Sequence, residues 1–202
     1  MVKEACVGSY SEAVSAEKRG ADRVELCDNL DVGGTTPSYG TIKTTVEKLK
    51  IPVFVMIRPR GGNFCYNKNE IEIMKKDIEL CKALGVKGIV LGVLTKNDEI
   101  DYPLLKELID LAAPMEVTFH KAIDDLENPV LEIKKLAEIG VKRILSSGTK
   151  AKALDGKDIL NKMIAEANDD ITVIVAGGVT TDNFDKVSKE IVSTEYHGKK
   201  IV

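Results

Sequence analysis

Strand-like and amphipathic helical patterns alternate along the whole chain, and this alternation limits the fold more than any other feature of the sequence. Short apolar runs fall at 3–7, 23–27, 52–58, 88–95, 115–120, 143–148, 172–178 and 194–198. Helical periodicity fills the intervals at about 10–20, 38–49, 69–84, 102–112, 129–139, 157–167 and 182–192. At 129–139 the signals are explicit: Asn128 as N-cap, Pro129 in the first turn, Val130, Ile133, Leu136 and Ala137 on one face, Gly140 as C-cap. A weak repeat supports the count, because "KRGADRVEL", "ALGVKGIVL" and "EIGVKRILS" share a helix end, a glycine, a basic residue and a strand. Eight strands joined through helices must be parallel, since each connection is a crossover.

Two architectures satisfy that pattern: a TIM-like (β/α)8 barrel over residues 1–202 as one domain, and an open doubly wound sheet. The distribution of polar residues favours the barrel. In "RVELC" (23–27), Val24 and Leu26 share one face, while Arg23, Glu25 and Cys27 share the other. The same parity puts Glu4 and Cys6 together in the first strand and Phe54, Met56 and Arg58 together in the third. Glu116, Thr118 and His120 align in the fifth, as do Glu195 and His197 in the eighth. Only a closed lumen gathers polar faces from strands spread over the whole chain. The fourth and seventh strands are apolar on both faces and give no parity, and the sixth is ambiguous. No eighth helix follows the last strand, so the apolar flank between the first and seventh helices calls for a cover, and a homo-oligomer is expected to supply it.

Composition excludes several functions. A formal net charge of −3 with 30% charged residues of mixed sign offers no electrostatic footprint for nucleic acid. No apolar run approaches a membrane span, and the N-terminus does not read as a signal peptide, so a cytosolic location is expected. The four cysteines, Cys6, Cys27, Cys65 and Cys81, are then expected as thiols, and none forms a CxxC pair.

Charges inside a barrel are unfavourable unless paired. They serve either an internal ion-pair network, with carboxylates against Arg23, Arg58 and Arg143, or a lined pocket at the C-terminal strand ends. For a pocket, Arg58 reads as a bidentate clamp for carboxylate or phosphate. Gly61 and Gly62 allow close approach of backbone amides to an anion, and Arg60 reads as a solvated loop residue. Ser147 with Gly148, and Gly177 with Gly178, end the sixth and seventh strands where phosphate-binding barrels carry their loops; tight turns are the equal alternative. His120 reads as the general acid or base, titrating near neutral pH, with His197 second and Glu25 or Asp124 as carboxylate partner. His120, His197 and Glu25 also suit a borderline divalent ion. Lys121 has the opposite parity to His120, which disfavours a Schiff-base mechanism, and no nucleophile elbow appears.

"ADRVELC…GGTTPS", "IRPRGGNFCY", "VTFHKAID", "ILSSG" and "EYHG" together resemble the signature blocks of the CutC family, in the right order and over essentially the whole chain. The resemblance implies a TIM-barrel-like copper homeostasis protein with Cys6 and Cys27 as ligands of Cu(I). Parity independently puts both thiols on inward faces of sequential strands, and thiolates suit a soft ion. Their other role is as small buried hydrophobes. Lys121 and Ile123 stand where the family usually has arginine and phenylalanine, and Gly198, Lys199 and Lys200 follow His197 in place of a serine- and arginine-containing stretch. Two readings therefore leave the sequence: a copper-handling protein, and a metal-independent barrel enzyme acting on a small anionic or phosphorylated metabolite.

Overall fold

A computed structural model describes residues 1–202. Eight parallel strands close a barrel in chain order: β1 (Val2–Val7), β2 (Arg23–Leu26), β3 (Val53–Met56), β4 (Gly88–Leu91), β5 (Glu116–Phe119), β6 (Arg143–Ser146), β7 (Thr172–Val175) and β8 (Glu195–Gly198). Around it lie α1 (Tyr10–Lys18), α2 (Tyr39–Lys48), α3 (Lys68–Ala83), α4 (Tyr102–Ala112), α5 (Ile133–Glu138), α6 (Lys157–Ala167) and α7 (Phe184–Glu190). The open sheet is thereby excluded. No helix is long and apolar enough to cross a membrane.

Two local expectations need correction. Several strands stop earlier than their apolar runs, because residues at their C-terminal tips hydrogen-bond into loops; the Arg58 amide, for instance, donates to Thr36 Oγ1 at 2.9 Å. The stretch at 129–139 begins as a 3-10 turn over Pro129–Glu132 before α5, and Asn128 makes no side-chain cap. Other helix starts follow their sequence signals. Asn67 and Glu70 form a reciprocal capping box on α3, satisfying two otherwise orphaned amides.

The apolar parity of each strand faces the helices. Val24, Leu26, Val55, Ile89 and Leu91 meet Ala13, Ala16, Met74, Ile78 and Leu105 in one continuous core. Each fully buried aliphatic side chain there contributes about 1.5–3 kcal/mol. Cys81, on α3, is part of this packing. Beyond β8, Ile201 is fully buried and Arg19 Nε donates to the Val202 carbonyl at 3.1 Å, so residues after the last strand pack beside α1.

The other parity faces the lumen, which divides into layers. At the N-terminal floor Arg23 donates to Glu4 and to Glu195, and Arg143 donates to Glu116 at 2.5 Å and Glu195 at 3.1 Å. The two guanidinium carbons lie 4.8 and 5.2 Å from the Phe54 ring centroid. Gly88 makes room for that ring, since a Cβ there would stand 2.6 Å from it. The internal ion-pair network is therefore real for Arg23 and Arg143, but not for Arg58, and occupies the floor. It also resolves the ambiguous sixth strand, whose inward residues are Arg143 and Leu145. Above the floor the lumen is half apolar, with Cys27, Phe54, Met56 and Val90 on one side and Leu145, Ile174 and Ala176 on the other.

Candidate functional site

The strand register assembles a thiol–carboxylate–imidazole cluster above this floor. Cys6 on β1 is level with Glu25 on β2, and Glu4 is level with His197 on β8. Cys27 follows β2 directly, and its Sγ lies 3.6 Å from Glu25 Oε2. One ligand atom from each of Cys6, Glu25 and Cys27 lies within 4.8 Å of the others, and Glu4, Glu25 and His197 form a second such group. His197 bridges the two carboxylates, with Nδ1 2.8 Å from Glu4 Oε1 and Nε2 3.6 Å from Glu25 Oε2.

The protonation pattern follows from burial and these contacts. A hydrogen bond from Cys27 holds the Cys6 thiol well below its usual range, with His197 adding to the effect. The same bond pushes Cys27 up, so it stays a thiol. Burial raises Glu25 well above the ordinary carboxylate value. For Glu4, burial is outweighed by His197 and Arg23, and its pKa falls to about 2. Burial alone disfavours a charged His197, but Glu25, Cys6 and Glu4 outweigh it and raise its pKa well above 6.5. The cluster therefore carries one acidified thiol beside an imidazolium.

Cys6, Glu25 and His197 line one side of a cavity of about 490 Å³ at the C-terminal mouth of the barrel. Ala176–Thr180 after β7 and Lys121 after His120 line the cavity as well. Glu25 is the only carboxylate among the lining residues, which otherwise include Arg58, Lys121, Lys199, Lys200 and His197. The mouth is thus cationic rather than acidic, although the whole chain is slightly acidic.

His120 behaves differently from its sequence expectation. It is 3% exposed, and burial together with the nearby Arg58 charge lowers its pKa to about 3. It does not titrate near neutral pH. Its Nδ1 accepts the Ala122 amide at 3.2 Å, so the proton of the neutral ring sits on Nε2. That Nε2–H is buried and has no acceptor. An unsatisfied buried donor costs about 1–3 kcal/mol.

The anion residues read from sequence separate into two sets. Arg58 cannot act as a free bidentate fork, because Nη1 donates to the carbonyls of Val32 and Gly34 at 2.9 Å each and Nη2 to Gly62 at 2.7 Å. It pins two loops together. Gly61 packs against Val32, where a Cβ would stand 2.8 Å away, and Gly62 supplies a carbonyl to Arg58; neither lines the cavity. Arg60 is not simply solvated, since it donates to Glu70 at 2.6 Å and to the carbonyls of Gly61, Asn63 and Cys65. The amides of Ser147 and Thr149 donate to Asp124, and that of Gly148 to Ser146 Oγ. Those strand-six amides are therefore unavailable to an anion. Gly177 and Gly178 do line the cavity, and neither they nor Val179 has an acceptor for its backbone amide.

Asp124 is not a partner of His120. Its carboxylate takes Lys121 Nζ at 2.7 Å, Ser146 Oγ at 2.5 Å and the Ser147 amide at 3.0 Å. Glu25 likewise finds Cys27 and His197 as its neighbours. Lys121 nevertheless reaches the cavity, because β5 ends at Phe119 and strand parity no longer governs the next turn.

The CutC family model matches residues 1–202. The chain belongs to the CutC family. A human copper homeostasis protein cutC homolog is 43% identical over 194 residues, covering 96% of this chain and 71% of that protein. The structure of CutC from Streptococcus agalactiae aligns over 100% of both chains with a TM-score of 0.94 at 36% identity. A deoxyribose phosphate aldolase from Aeropyrum pernix aligns at a TM-score of 0.72 with 13% identity, covering 98% of this chain and 86% of that one, which shows the shared barrel fold alone.

The signature blocks quoted above contribute Cys27, His120 and His197; the two histidines line the cavity, and Cys27 adjoins it beside Cys6 and Glu25. One neighbour went unnoticed in sequence: Met56, which packs with Cys27 and Cys6 in the lumen. Its inward parity on the third strand was the available signal. Its contact with the two cysteines is apolar packing.

Proposed function

We propose that this CutC protein handles copper inside the cell by binding Cu(I) through the thiolates of Cys6 and Cys27 at the barrel mouth. The observation that carries the reading is the convergence of the two sulfur atoms and a Glu25 oxygen within 4.8 Å on adjacent strands. Both thiols belong to free cysteines, as the reducing cytosol requires. Thiolate donors favour Cu(I) over harder divalent ions. Cys6 is already acidified, so the ion has to displace a proton mainly from Cys27. Two thiolates around one monovalent ion carry a net negative charge, which the His197 imidazolium offsets.

The test is anaerobic Cu(I) titration of the reduced protein against a competing chelator, beside a Cys6→Ala/Cys27→Ala double variant. One tightly held ion per chain, lost in the variant, together with release of about one proton per ion at pH 7, is expected. Binding indifferent to the two cysteines would remove the thiolate site.

A further inference from the structure

The part of the cavity wall formed by the loops after β7 and β5 has the features of a second ligand site. The amides of Gly177, Gly178 and Val179 have no acceptor, and Val179 is 1% exposed, so bulk water does not serve it. Gly177 has φ +101°, and a Cβ there would stand 2.7 Å from the Ser147 Cβ; this close packing sets the loop against Ser147. Lys121 Nζ donates to that same Ser147 and to Asp124, which places an ammonium group beside the loop with donor capacity left over. His120, adjacent in sequence, contributes a buried Nε2–H with no partner. Every one of these groups donates and none accepts. The lining of the cavity repeats the pattern, with several cations against one carboxylate.

We infer that this wall binds a small phosphorylated metabolite, with the phosphate held by the Gly177–Val179 amides and Lys121 and a carbonyl or hydroxyl oxygen of the same molecule accepting from His120 Nε2–H. Three consecutive unpaired amides and an ammonium match a tetrahedral oxyanion, which offers several acceptor oxygens in a small volume. A cavity of about 490 Å³ accommodates both ends of such a molecule. The inference is independent of copper, since none of the groups it uses is a sulfur ligand.

The experiment is calorimetric titration of the reduced, metal-free protein with dihydroxyacetone phosphate, glycerol 3-phosphate, inorganic phosphate and succinate, followed by amide and imidazole nitrogen resonances. Saturable binding of the phosphorylated probes is expected, with shifts of the Gly177, Gly178 and Val179 amides and of His120 Nε2. Lys121→Met should weaken phosphate-ester binding about tenfold or more, while a Cys6→Ser/Cys27→Ser variant should bind them as wild type does. Absence of binding at millimolar concentration, succinate binding tighter than every phosphorylated probe, or amide shifts confined to other loops would overturn the inference. If Lys121→Met does not fold, the wild-type amide and imidazole shifts decide alone. Loss of phosphate-ester binding in the cysteine variant would also overturn it, because it would place the anion on the thiol side.

Discussion

Replacing Arg23 with methionine tests whether the polar lumen is divided into a structural floor and a functional mouth. Arg23 is 5% exposed and holds Glu4, itself 1% exposed, and Glu195. Removing one member of a buried ionic group destabilises by about 3–5 kcal/mol, because the remaining charges stay desolvated without compensation. Here both carboxylates keep a second partner, Glu4 in His197 and Glu195 in Arg143, which points to the lower end of that range. The lost stacking on Phe54, 4.8 Å from the guanidinium carbon, adds a smaller increment of about 0.5–2 kcal/mol. For a chain of 202 residues, about 3 kcal/mol lowers the melting temperature by roughly 6–12 °C. Circular dichroism melts and urea titration of Arg23→Met against wild type measure it, and Arg23→Met/Glu4→Gln should recover part of the loss by removing the stranded charge. Copper affinity of the folded variant should be unchanged within about threefold. A loss of less than about 1 kcal/mol would refute the floor as a stabilising network. Unchanged stability with abolished copper binding would show that the floor belongs to the site.

Two further outcomes follow from neighbouring residues. Gly88→Ala forces a methyl group to 2.6 Å from the Phe54 ring and 2.9 Å from the Glu116 carbonyl, so about 1–3 kcal/mol of stability should disappear in a denaturant titration. His120 is held neutral in the fold at a pKa of about 3, whereas in the unfolded chain it titrates near 6.5. Its contribution is therefore complete above pH 6.5 and is lost as pH falls from there towards 3, because the unfolded chain takes up a proton that the native ring refuses. Glu25, raised by burial, titrates with the opposite sign in that window, so the difference in slope between wild type and His120→Gln isolates the imidazole. Parallel urea midpoints for the two proteins between pH 7 and 5 would contradict the buried neutral ring.

The barrel was legible because its cause is local. Alternating parity and short helices repeat along the chain, and strand register then follows from closure, as Cys6 level with Glu25 illustrates. Lumen residues were likewise legible wherever a strand was polar on one face. What parity could not convey was depth. Arg23 and Glu25 are two residues apart on the same face, yet one serves the floor and the other the mouth. Parity also ends with the strand: Lys121 reaches the cavity despite its opposite phase to His120. Hydrogen bonding was the second hidden quantity. Arg58 is inward, as its position implied, but the carbonyls of Val32, Gly34 and Gly62 come from loops whose approach no periodicity encodes. Likewise the Ser147 and Gly148 amides are engaged and the Gly177 and Gly178 amides are free, although the two glycine loops look alike in sequence.

Copper and anion readings of the mouth are compatible on charge. A Cu(I) ion between two thiolates leaves one negative charge, and the adjacent imidazolium of His197 offsets it. Lys199 and Lys200 then remain without carboxylate partners, Glu25 being raised by burial into its neutral form, and Lys121 is paired with Asp124 outside the lining but keeps donor capacity. Binding copper therefore does not satisfy the cationic wall, and binding a phosphate ester does not require the thiols. The cysteine double variant separates the two: it should abolish Cu(I) retention and leave phosphate-ester affinity intact. If instead each ligand changes the affinity of the other, the linkage must be reciprocal and of equal size in both directions. His197 and Gly198 are the residues through which it would pass, because both line the cavity on the same strand as Glu195 at the floor.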